Sequence, residues 1–240
     1  MIDLNSTSVR WTITLNRPDK ANAINMEMLI RLNEILDEAK QQLKLRSLII
    51  TGNGPVFSAG ADLNAVKLNN ELTTTIHWKT LSDKIAELPC LTIAALNGTL
   101  AGGAVGMALA CDIRLATTEA NFFYPVLKNN LLPQPNDIER LVNLTGLSTA
   151  KLILIAGQKL SAKKALDRGL IDLVCERSEL TDNINSLSYT AENTDSISLL
   201  AIKRLFQNFT SNELKTDAIN AVFNLSLIHI SEPTRPRLIS

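Results

Sequence analysis

Apolar residues recur along the chain at two different spacings, and together they predict strands that alternate with helices. Residues 9–15 alternate apolar and polar side chains, which predicts a half-buried strand. From about residue 25 to residue 43 the apolar positions recur at helical spacing. Short apolar runs at residues 47–51 and 91–96 predict two buried strands.

The same patterns predict the remaining elements. Strands are expected at residues 112–116, 121–124 and 170–174, and helices at residues 73–87, from Gly102 onward, and at 137–144, 149–155, 161–169, 199–209 and 213–223. Ser161 and Gly169 are the expected N-cap and C-cap of the helix at 161–169. Alternating strands and helices predict an α/β architecture.

No linker marks a second compact domain, so we expect a core over residues 1–190 and a C-terminal helical segment over 191–225. The last stretch, residues 226–240, has neither helical nor strand periodicity and contains two prolines. We expect this stretch to be foreign to the fold and the native C-terminus to be missing.

Composition excludes several classes of function. The 240 residues carry 24 basic and 24 acidic side chains, and aromatic residues make up 4%. This balance argues against nucleic-acid binding and gives no reason to expect binding to a membrane surface. Cys90, Cys111 and Cys175 lie in apolar surroundings, which favours buried thiols in a cytoplasmic protein, and no spacing of His and Cys predicts a metal site.

One uncharged segment, residues 88–111, is long enough to cross a bilayer. Pro89, Asn97 and four glycines interrupt it, so a buried strand, a loop and a tightly packed helix are the better interpretation. The N-terminus has no basic region followed by an apolar one, so no signal peptide is expected.

Glycine and alanine dominate the segments that follow the two buried strands, residues 56–63 and 97–106. Small side chains allow a ligand to approach the main chain closely. Such a site offers backbone N–H groups, strengthened where a helix begins. Two N–H groups directed at one carbonyl oxygen form an oxyanion hole.

Five segments give the chain its resemblance to the enoyl-CoA hydratase/isomerase (crotonase) superfamily. They are Leu15-Asn16-Arg17-Pro18 with Asn22-Ala23, the run Phe57-Ser58-Ala59-Gly60-Ala61-Asp62-Leu63, the set Asn97-Gly98, Gly102-Gly103 and Ala110-Cys111-Asp112, the set Ser161-Ala162, Ala165 and Gly169-Leu170, and the late helix that contains Lys203. One glycine-rich turn alone is a weak signal, but five segments in the same order are specific.

The resemblance implies a spiral of ββα units with C-terminal helices, assembled as a homotrimer or a dimer of trimers. It also implies an acyl-CoA thioester as the ligand, with coenzyme A part of the substrate and no other cofactor. By position, the N–H groups of Ala61 and Gly103 would form the oxyanion hole. The residues expected to contact the ligand are Lys20, Ala21, Ala23, Ala59, Asp62, Leu63, Gly106, Val126 and Gln134. A solvated turn residue is an equally good interpretation of Lys20.

The chain departs from the family pattern where acids are expected. Hydratases of the family carry glutamates at the positions of Gly106 and Val126, and some isomerases and dehalogenases carry an aspartate at the position of Gln134. Asp137 is the nearest substitute, with Glu139 two residues further on, but acids are also favoured in the first turn of any helix.

Two further side chains are candidates for proton transfer or hydrogen bonding. Tyr124 is either a hydrogen-bond donor or a core residue, and His77 is either a site residue or a packed or surface one.

Two hypotheses remain open. The first is an enzyme that uses the oxyanion hole without the two glutamates, for decarboxylation of a malonyl-type thioester, thioester hydrolysis or isomerisation with another acid. The second is an acyl-CoA-binding protein or pseudoenzyme subunit without catalysis. A missing C-terminus would leave the pocket less covered and the trimer weaker.

Overall fold

A computed structural model describes residues 1–68, 72 and 75–210 of the chain, with side chains as far as residue 206. The strands are β1 (Ile2–Ser6), β2 (Arg10–Leu15), β3 (Ser47–Gly52), β4 (Val56–Ser58), β5 (Leu91–Leu96), β6 (Thr99–Ala101), β7 (Ile113–Thr117), β8 (Asn121–Phe123), β9 (Leu160–Ser161) and β10 (Leu173–Cys175). The helices are α1 (Met26–Lys40), α2 (Leu63–Leu68), α3 (His77–Glu87), α4 (Ala104–Ala110), α5 (Pro135–Leu154), α6 (Ala162–Asp167), α7 (Leu180–Glu192) and α8 (Ser196–Thr210).

The strands divide between two sheets. One sheet has six strands in the order β1-β2-β3-β5-β7-β10, and the other has four in the order β4-β6-β8-β9. Consecutive strand pairs are split between them, because β3, β5 and β7 lie in the large sheet while β4, β6 and β8 lie in the small one. This repeated strand–strand–helix unit confirms the predicted spiral of ββα units.

The small sheet is what positions the candidate site. Strand β6 pairs in parallel with both β4 and β8, with Ser58 opposite Leu100 and Leu100 opposite Phe122. Because the strands are parallel, their carboxyl ends lie side by side at one edge of the sheet. The segments that follow β4, β6 and β8 therefore meet there, although they are far apart in sequence.

The core lies between the sheets and helices α1, α3, α4 and α5. Its largest fully buried side chains are Phe57, Ile13, Leu15, Ile24, Met28, Leu29, Leu32, Ile35, Leu36, Leu48 and Ile50. Helix α7 covers the opposite face of the large sheet, where its apolar residues pack against Ile49, Ile93 and Ala95. The predicted boundary at residue 190 falls inside α7, and the division into a core and a C-terminal segment stays a prediction.

The last helix described, α8, is held on the core by a partly buried ion pair. Lys203 donates to an Asp112 carboxylate oxygen at 2.7 Å and to the carbonyl oxygen of Cys90 at 2.7 Å. The same Asp112 oxygen accepts from Thr92. The helix predicted at residues 213–223 and the foreign tail predicted at 226–240 lie outside the described residues.

Strands β2, β3, β5, β7 and β8 and helix α6 lie within two residues of their predicted bounds, whereas α1, α3 and α8 differ from theirs by three or four residues at one end. Gly146 is non-helical inside α5, at φ 76° and ψ 160°, so the expected break between two helices is confirmed. The strand predicted at residues 170–174 is instead found at Leu173–Cys175, because the Leu170 N–H still bonds Ala165 and completes the end of α6. The elements that were not predicted are strands β1, β4, β6 and β9 and helices α2 and α7.

The segment 88–111 forms the expected strand, β5, and the expected helix, α4, and the short strand β6 lies where a loop was expected. Within the described ranges there is no helix with the length and apolar character needed to cross a membrane. The three cysteine side chains are buried and unbridged, and burial raises the pKa of the Cys90 and Cys111 thiols to about 12 each.

Candidate active site

The two glycine-rich segments are in direct backbone contact. Gly60 adopts φ +89°, and a Cβ added to it would lie 2.9 Å from the Gly103 nitrogen and 2.8 Å from the Ala101 carbonyl oxygen. Gly102 adopts φ +58°, and a Cβ added to it would lie 3.2 Å from the Ala59 carbonyl oxygen. Only glycine fits this contact, because side chains are excluded both by the space and by the positive φ.

This contact brings the predicted oxyanion-hole residues, Ala61 and Gly103, to one place. The Ile24 N–H donates to the Gly60 carbonyl and the Asp62 N–H to the Ile24 carbonyl, so the bridge with Ile24 leaves the Ala61 N–H unused. Gly103 is the N-cap of α4 and has no side-chain cap. Among the described residues, neither the Ala61 nor the Gly103 N–H has an acceptor. Both are therefore available to a ligand oxygen.

The turn predicted to hold the coenzyme lies beside the first of these segments. The Ala59 N–H donates to the Ala21 carbonyl at 2.9 Å, and the Ala23 N–H donates to the Lys20 carbonyl at 3.0 Å. Lys20 is exposed, and Ala21 adopts φ 51° at the end of a short 3-10 helix. The structure thus brings Lys20, Ala21, Ala23 and Ala59 together on one side of the site.

Asp62 and Leu63 follow in the chain but differ in their surroundings. The carboxylate of Asp62 accepts from Arg17 at 2.6 Å and from the N–H groups that begin α2. The Arg17 hydrogen bond holds the pKa of Asp62 below its usual range. Asp62 is therefore committed to protein contacts, while Leu63 is half exposed and free to contact a ligand.

The carboxyl group of Asp137 occupies the space where a side chain at residue 106 would lie. A Cβ added to Gly106 would be 2.6 Å from Asp137 Oδ1 and 2.9 Å from Oδ2. Gly106 is one helical turn beyond Gly103, since its N–H donates to the Gly103 carbonyl. An acid is therefore present one helical turn from Gly103, the predicted oxyanion-hole residue, but it comes from α5 and not from α4.

Asp137 is in the first turn of α5, as predicted, yet its side chain points into the core and the residue is 1% exposed. Tyr124 donates its phenolic O–H to Asp137 Oδ2 at 2.8 Å, while Oδ1 is buried with no partner in the part of the chain described. Burial raises the pKa of Asp137 to about 6, with Tyr124 opposing the rise. A carboxyl of this kind changes protonation near neutral pH.

The other predicted residues surround this pair less closely. Gln134 is the N-cap residue of α5, and its carbonyl accepts from the Asp137 N–H at 3.0 Å. Val126 is buried in the turn after Tyr124. The main chain of His77 accepts a hydrogen bond from Asn33, and the structure gives its imidazole no place in the site.

Sequence reasoning did not identify Trp78 as a site residue. A Cβ added to Gly103 would lie 3.4 Å from the Trp78 ring, so the indole is within contact distance of this predicted oxyanion-hole residue. Trp78 is 5% exposed, and its Nε1–H donates to the Leu72 carbonyl at 2.8 Å. A cleft of about 760 Å³ between α4, α5 and α8 is separate from these groups, being lined by residues such as Asp112, Arg114 and Lys203.

The sequence profile of the enoyl-CoA hydratase/isomerase family matches residues 6–228. The chain belongs to the enoyl-CoA hydratase/isomerase family. Its relatives include a putative enoyl-CoA hydratase/isomerase, YngF, of Bacillus subtilis, which is 35% identical over 73% of this chain and 69% of its own length. A 1,2-epoxyphenylacetyl-CoA isomerase of Escherichia coli is 30% identical over 85% of this chain and 81% of its own length.

Among solved structures, an enoyl-CoA hydratase from Bacillus anthracis superposes with a TM-score of 0.87 at 26% identity, covering 95% of this chain and 91% of that one. The crotonase fold expected from the sequence is thereby confirmed. Hydratases of the family were expected to carry a glutamate at the position of Gly106. In this chain the carboxyl group of Asp137 occupies the space where a side chain at Gly106 would lie.

Gly106 and Asp137 are expected to be coupled in stability. Gly106→Ala should lower the free energy of unfolding by about 1–3 kcal/mol, because the added methyl group overlaps the Asp137 carboxyl. In an Asp137→Ala background the same change should have little effect, since the carboxyl is gone. Urea unfolding of the four proteins gives the coupling energy, and additive effects would show that the two residues are not in contact.

Proposed function

We propose that this family member is an acyl-CoA isomerase that moves a carbon–carbon double bond through an enolate, with Asp137 as its proton-transfer group. The observation that carries the proposal is the Asp137 carboxyl itself, buried beside Gly106 with Oδ1 unpaired among the described residues. The relative from Escherichia coli that matches over 81% of its length is named as an isomerase, which supports the same class of reaction.

The chemistry needs no second reactant. With a 3-enoyl-CoA, the Asp137 carboxylate would take a proton from C2, and the electron pair would move onto the thioester oxygen as a dienolate. The N–H groups of Ala61 and Gly103 would stabilise the negative charge on that oxygen. The protonated Asp137 would then return the proton to C4, which gives the 2-enoyl-CoA and restores the carboxylate. A buried carboxyl with a pKa of about 6 suits both halves of the cycle.

Isomerisation fits a single carboxyl better than hydration does. Hydration requires one group to activate water and a proton donor for the α-carbon, and the two glutamate positions of the hydratases are Gly106 and Val126 here. Val126 is buried and apolar. Asp137 alone is sufficient for isomerisation, because the group that removes the proton also returns it.

The other enzyme reactions left open by the sequence fit less well. Decarboxylation of a malonyl-type thioester needs no base, and an ionised Asp137 would repel the carboxylate of that substrate. Hydrolysis needs an activated water, which a carboxyl that is 1% exposed is poorly placed to supply.

The substrate must displace side chains to reach Asp137, because this carboxyl is 1% exposed in the unliganded chain. The indole of Trp78 lies against Gly103 on the side where a Cβ would point. We expect Trp78 to move when the acyl group binds. The bound acyl chain should then exclude water from the Asp137 carboxyl and so keep its pKa raised.

The coenzyme A part is expected on the turn formed by Lys20, Ala21 and Ala23 and on the main chain of residues 59–63. No metal or further cofactor enters the proposed reaction. We also expect a cytoplasmic protein that assembles as a homotrimer or a dimer of trimers, an assembly that a truncated C-terminus would weaken. Sedimentation at micromolar concentration measures the oligomeric state.

The test is to supply trans-3-hexenoyl-CoA and crotonyl-CoA and to follow the enoyl thioester absorbance. We expect absorbance to rise with the 3-enoyl substrate and to stay constant with crotonyl-CoA. The kcat/KM for isomerisation should fall below pH 6, since Asp137 must be ionised in the free enzyme.

Two outcomes would contradict the proposal. Rapid hydration of crotonyl-CoA would assign the site to the hydratases. Binding of both thioesters by calorimetry without any turnover would favour the acyl-CoA-binding alternative.

A further inference from the structure

The first turn of α5, which carries Asp137, has no side-chain cap of its own. Gln134 is its N-cap residue and makes no capping hydrogen bond through its side chain. The turn must therefore be fixed by tertiary contacts if Asp137 is to be held in one position. The residues on either side of Asp137 provide such contacts, and both reach the same carboxylate on α3.

That carboxylate belongs to Asp83. Its Oδ1 accepts from the side-chain amide of Asn136 and, at 3.1 Å, from Arg140 Nη2. Arg140 also donates to Ser82 Oγ at 2.6 Å, so two consecutive residues of α3 hold it. Lys79, one turn earlier on α3, donates to Asp83 Oδ2. The Asp83 side chain is 26% exposed and that of Arg140 is 20% exposed.

We propose that Asp83 is a positioning residue for Asp137: through Asn136 and Arg140 it fixes the first turn of α5 and so sets where the Asp137 carboxyl lies beside Gly106. This inference rests on the proposed function, because it assigns a role within the same site. Helix α3 also carries Trp78, whose ring lies against Gly103. One helix therefore contacts both the first turn of α5 and the predicted oxyanion-hole residue.

A surface ion pair is the ordinary alternative, and exposed pairs of this kind contribute little to stability. The two interpretations differ in what they predict for catalysis. Displacement of a reacting group by about 1 Å lowers turnover by about a hundredfold, whereas loss of a surface ion pair leaves turnover unchanged.

The charged groups that face Asp137 come from two helices. Arg140 of its own helix lowers the pKa of Asp137, and Asp83 of α3 raises it. Lys79 is paired with Asp83, and Tyr124 supplies the hydrogen bond from the third side. Helix α4, which packs against Asp137 through Gly106, has no charged residue.

The experiment compares Asp83→Ala, Asp83→Asn and Arg140→Met with Asp37→Ala. Asp37 is a matched control, since it pairs with Lys84 of the same helix at 2.7 Å but does not touch α5. We expect Asp83→Ala to lower kcat for isomerisation about tenfold to a hundredfold with little change in KM. Asp83→Asn should recover most of this loss, because its amide oxygen still accepts from Arg140. Asp37→Ala should match the wild type.

The pH dependence gives a readout that a structural role would not move. Asp83→Asn removes a negative charge and should shift the acid limb of kcat/KM to lower pH. Arg140→Met removes a positive charge and should shift the limb to higher pH. The same opposite shifts are expected in a carbon-13 NMR titration of the carboxyls, with the Asp137 signal assigned by its absence in Asp137→Asn.

The two readouts separate the possible failures. If the wild type does not isomerise acyl-CoA but the Asp137 carboxyl chemical shift at the two pH plateaus changes in Asp83→Ala and not in Asp37→Ala, the proposed function fails and the positioning by Asp83 stands. If the wild type is active but Asp83→Ala behaves like Asp37→Ala, the positioning role is overturned. Unmoved NMR midpoints in both charge variants would overturn it as well.

Discussion

Asp137→Asn is expected to lower kcat/KM for isomerisation of a 3-enoyl-CoA by two to four orders of magnitude, about the contribution of a positioned general acid–base group. The amide has nearly the shape of the carboxyl and still accepts a hydrogen bond from Tyr124, but it cannot take a proton. Steady-state kinetics on trans-3-hexenoyl-CoA measure the loss.

Glu139→Gln is the matched control for this change. Glu139 lies two residues further along α5 and is exposed, so its replacement removes a carboxylate from the same helix without changing the candidate site. We expect this variant to stay within about twofold of the wild type. Equal losses in the two variants would show that Asp137 has no special role.

Asp137→Asn should also be more stable than the wild type near neutral pH. The pKa of Asp137 is raised in the folded state from 3.8 to about 6, so the folded protein binds this proton more tightly than the unfolded chain does. This difference in proton binding contributes about 3 kcal/mol to the free energy of unfolding. The contribution is fully present below pH 3.8 and is lost as pH rises through 6. Relative to the wild type, Asp137→Asn should therefore gain stability between pH 4 and pH 8 in urea unfolding. A relative loss of stability over this range would contradict the raised pKa.

Gly103→Pro is expected to lower kcat by about a hundredfold to a thousandfold, because it removes one of the two N–H groups assigned to the thioester oxygen. Gly103 has φ −59°, which proline adopts without strain. Kinetics with the 3-enoyl substrate measure the effect, and thermal unfolding checks that the variant is folded.

Gly103→Ala separates the N–H group from the side chain. Its added Cβ would lie 3.4 Å from the Trp78 ring, close enough to need a small adjustment of the indole. This variant keeps the N–H, so we expect a loss of a few-fold at most. If alanine and proline had the same large effect, crowding against Trp78 would explain the result and the N–H would not.

Local patterns were sufficient to predict most of the fold. The apolar runs that became β3 and β5 and the helical spacing that became α1 are strong signals, because these elements are buried on a continuous face. Helix α7 was missed although Leu180, Ile184 and Leu187 are spaced for one helical face, since polar residues dominate the rest of it. Strand β1 is short and lies at the edge of its sheet, where few apolar residues are needed.

The candidate site was only half predictable. Local sequence singled out the small residues that follow the two buried strands, and the resemblance to the family then predicted Ala61 and Gly103 among them by position. The approach of Asp137 to Gly106 is a tertiary contact between α4 and α5, 31 positions apart, and its local surroundings are those of any first-turn acid. The signal was a pair of departures considered together: a glycine where the family has a glutamate, and an acid three residues beyond Gln134.

The most direct test of the proposed mechanism follows the hydrogen that moves from C2 to C4 of the substrate. Trans-3-hexenoyl-CoA deuterated at C2 is incubated with the enzyme in ordinary water, and the 2-enoyl product is analysed by NMR. We predict deuterium at C4 of the product with the wild type, because a carboxyl that is 1% exposed returns the hydrogen it removed before exchange with solvent. Asp137→Asn should form no product. Formation of the product by Asp137→Asn at the wild-type rate would contradict the central claim.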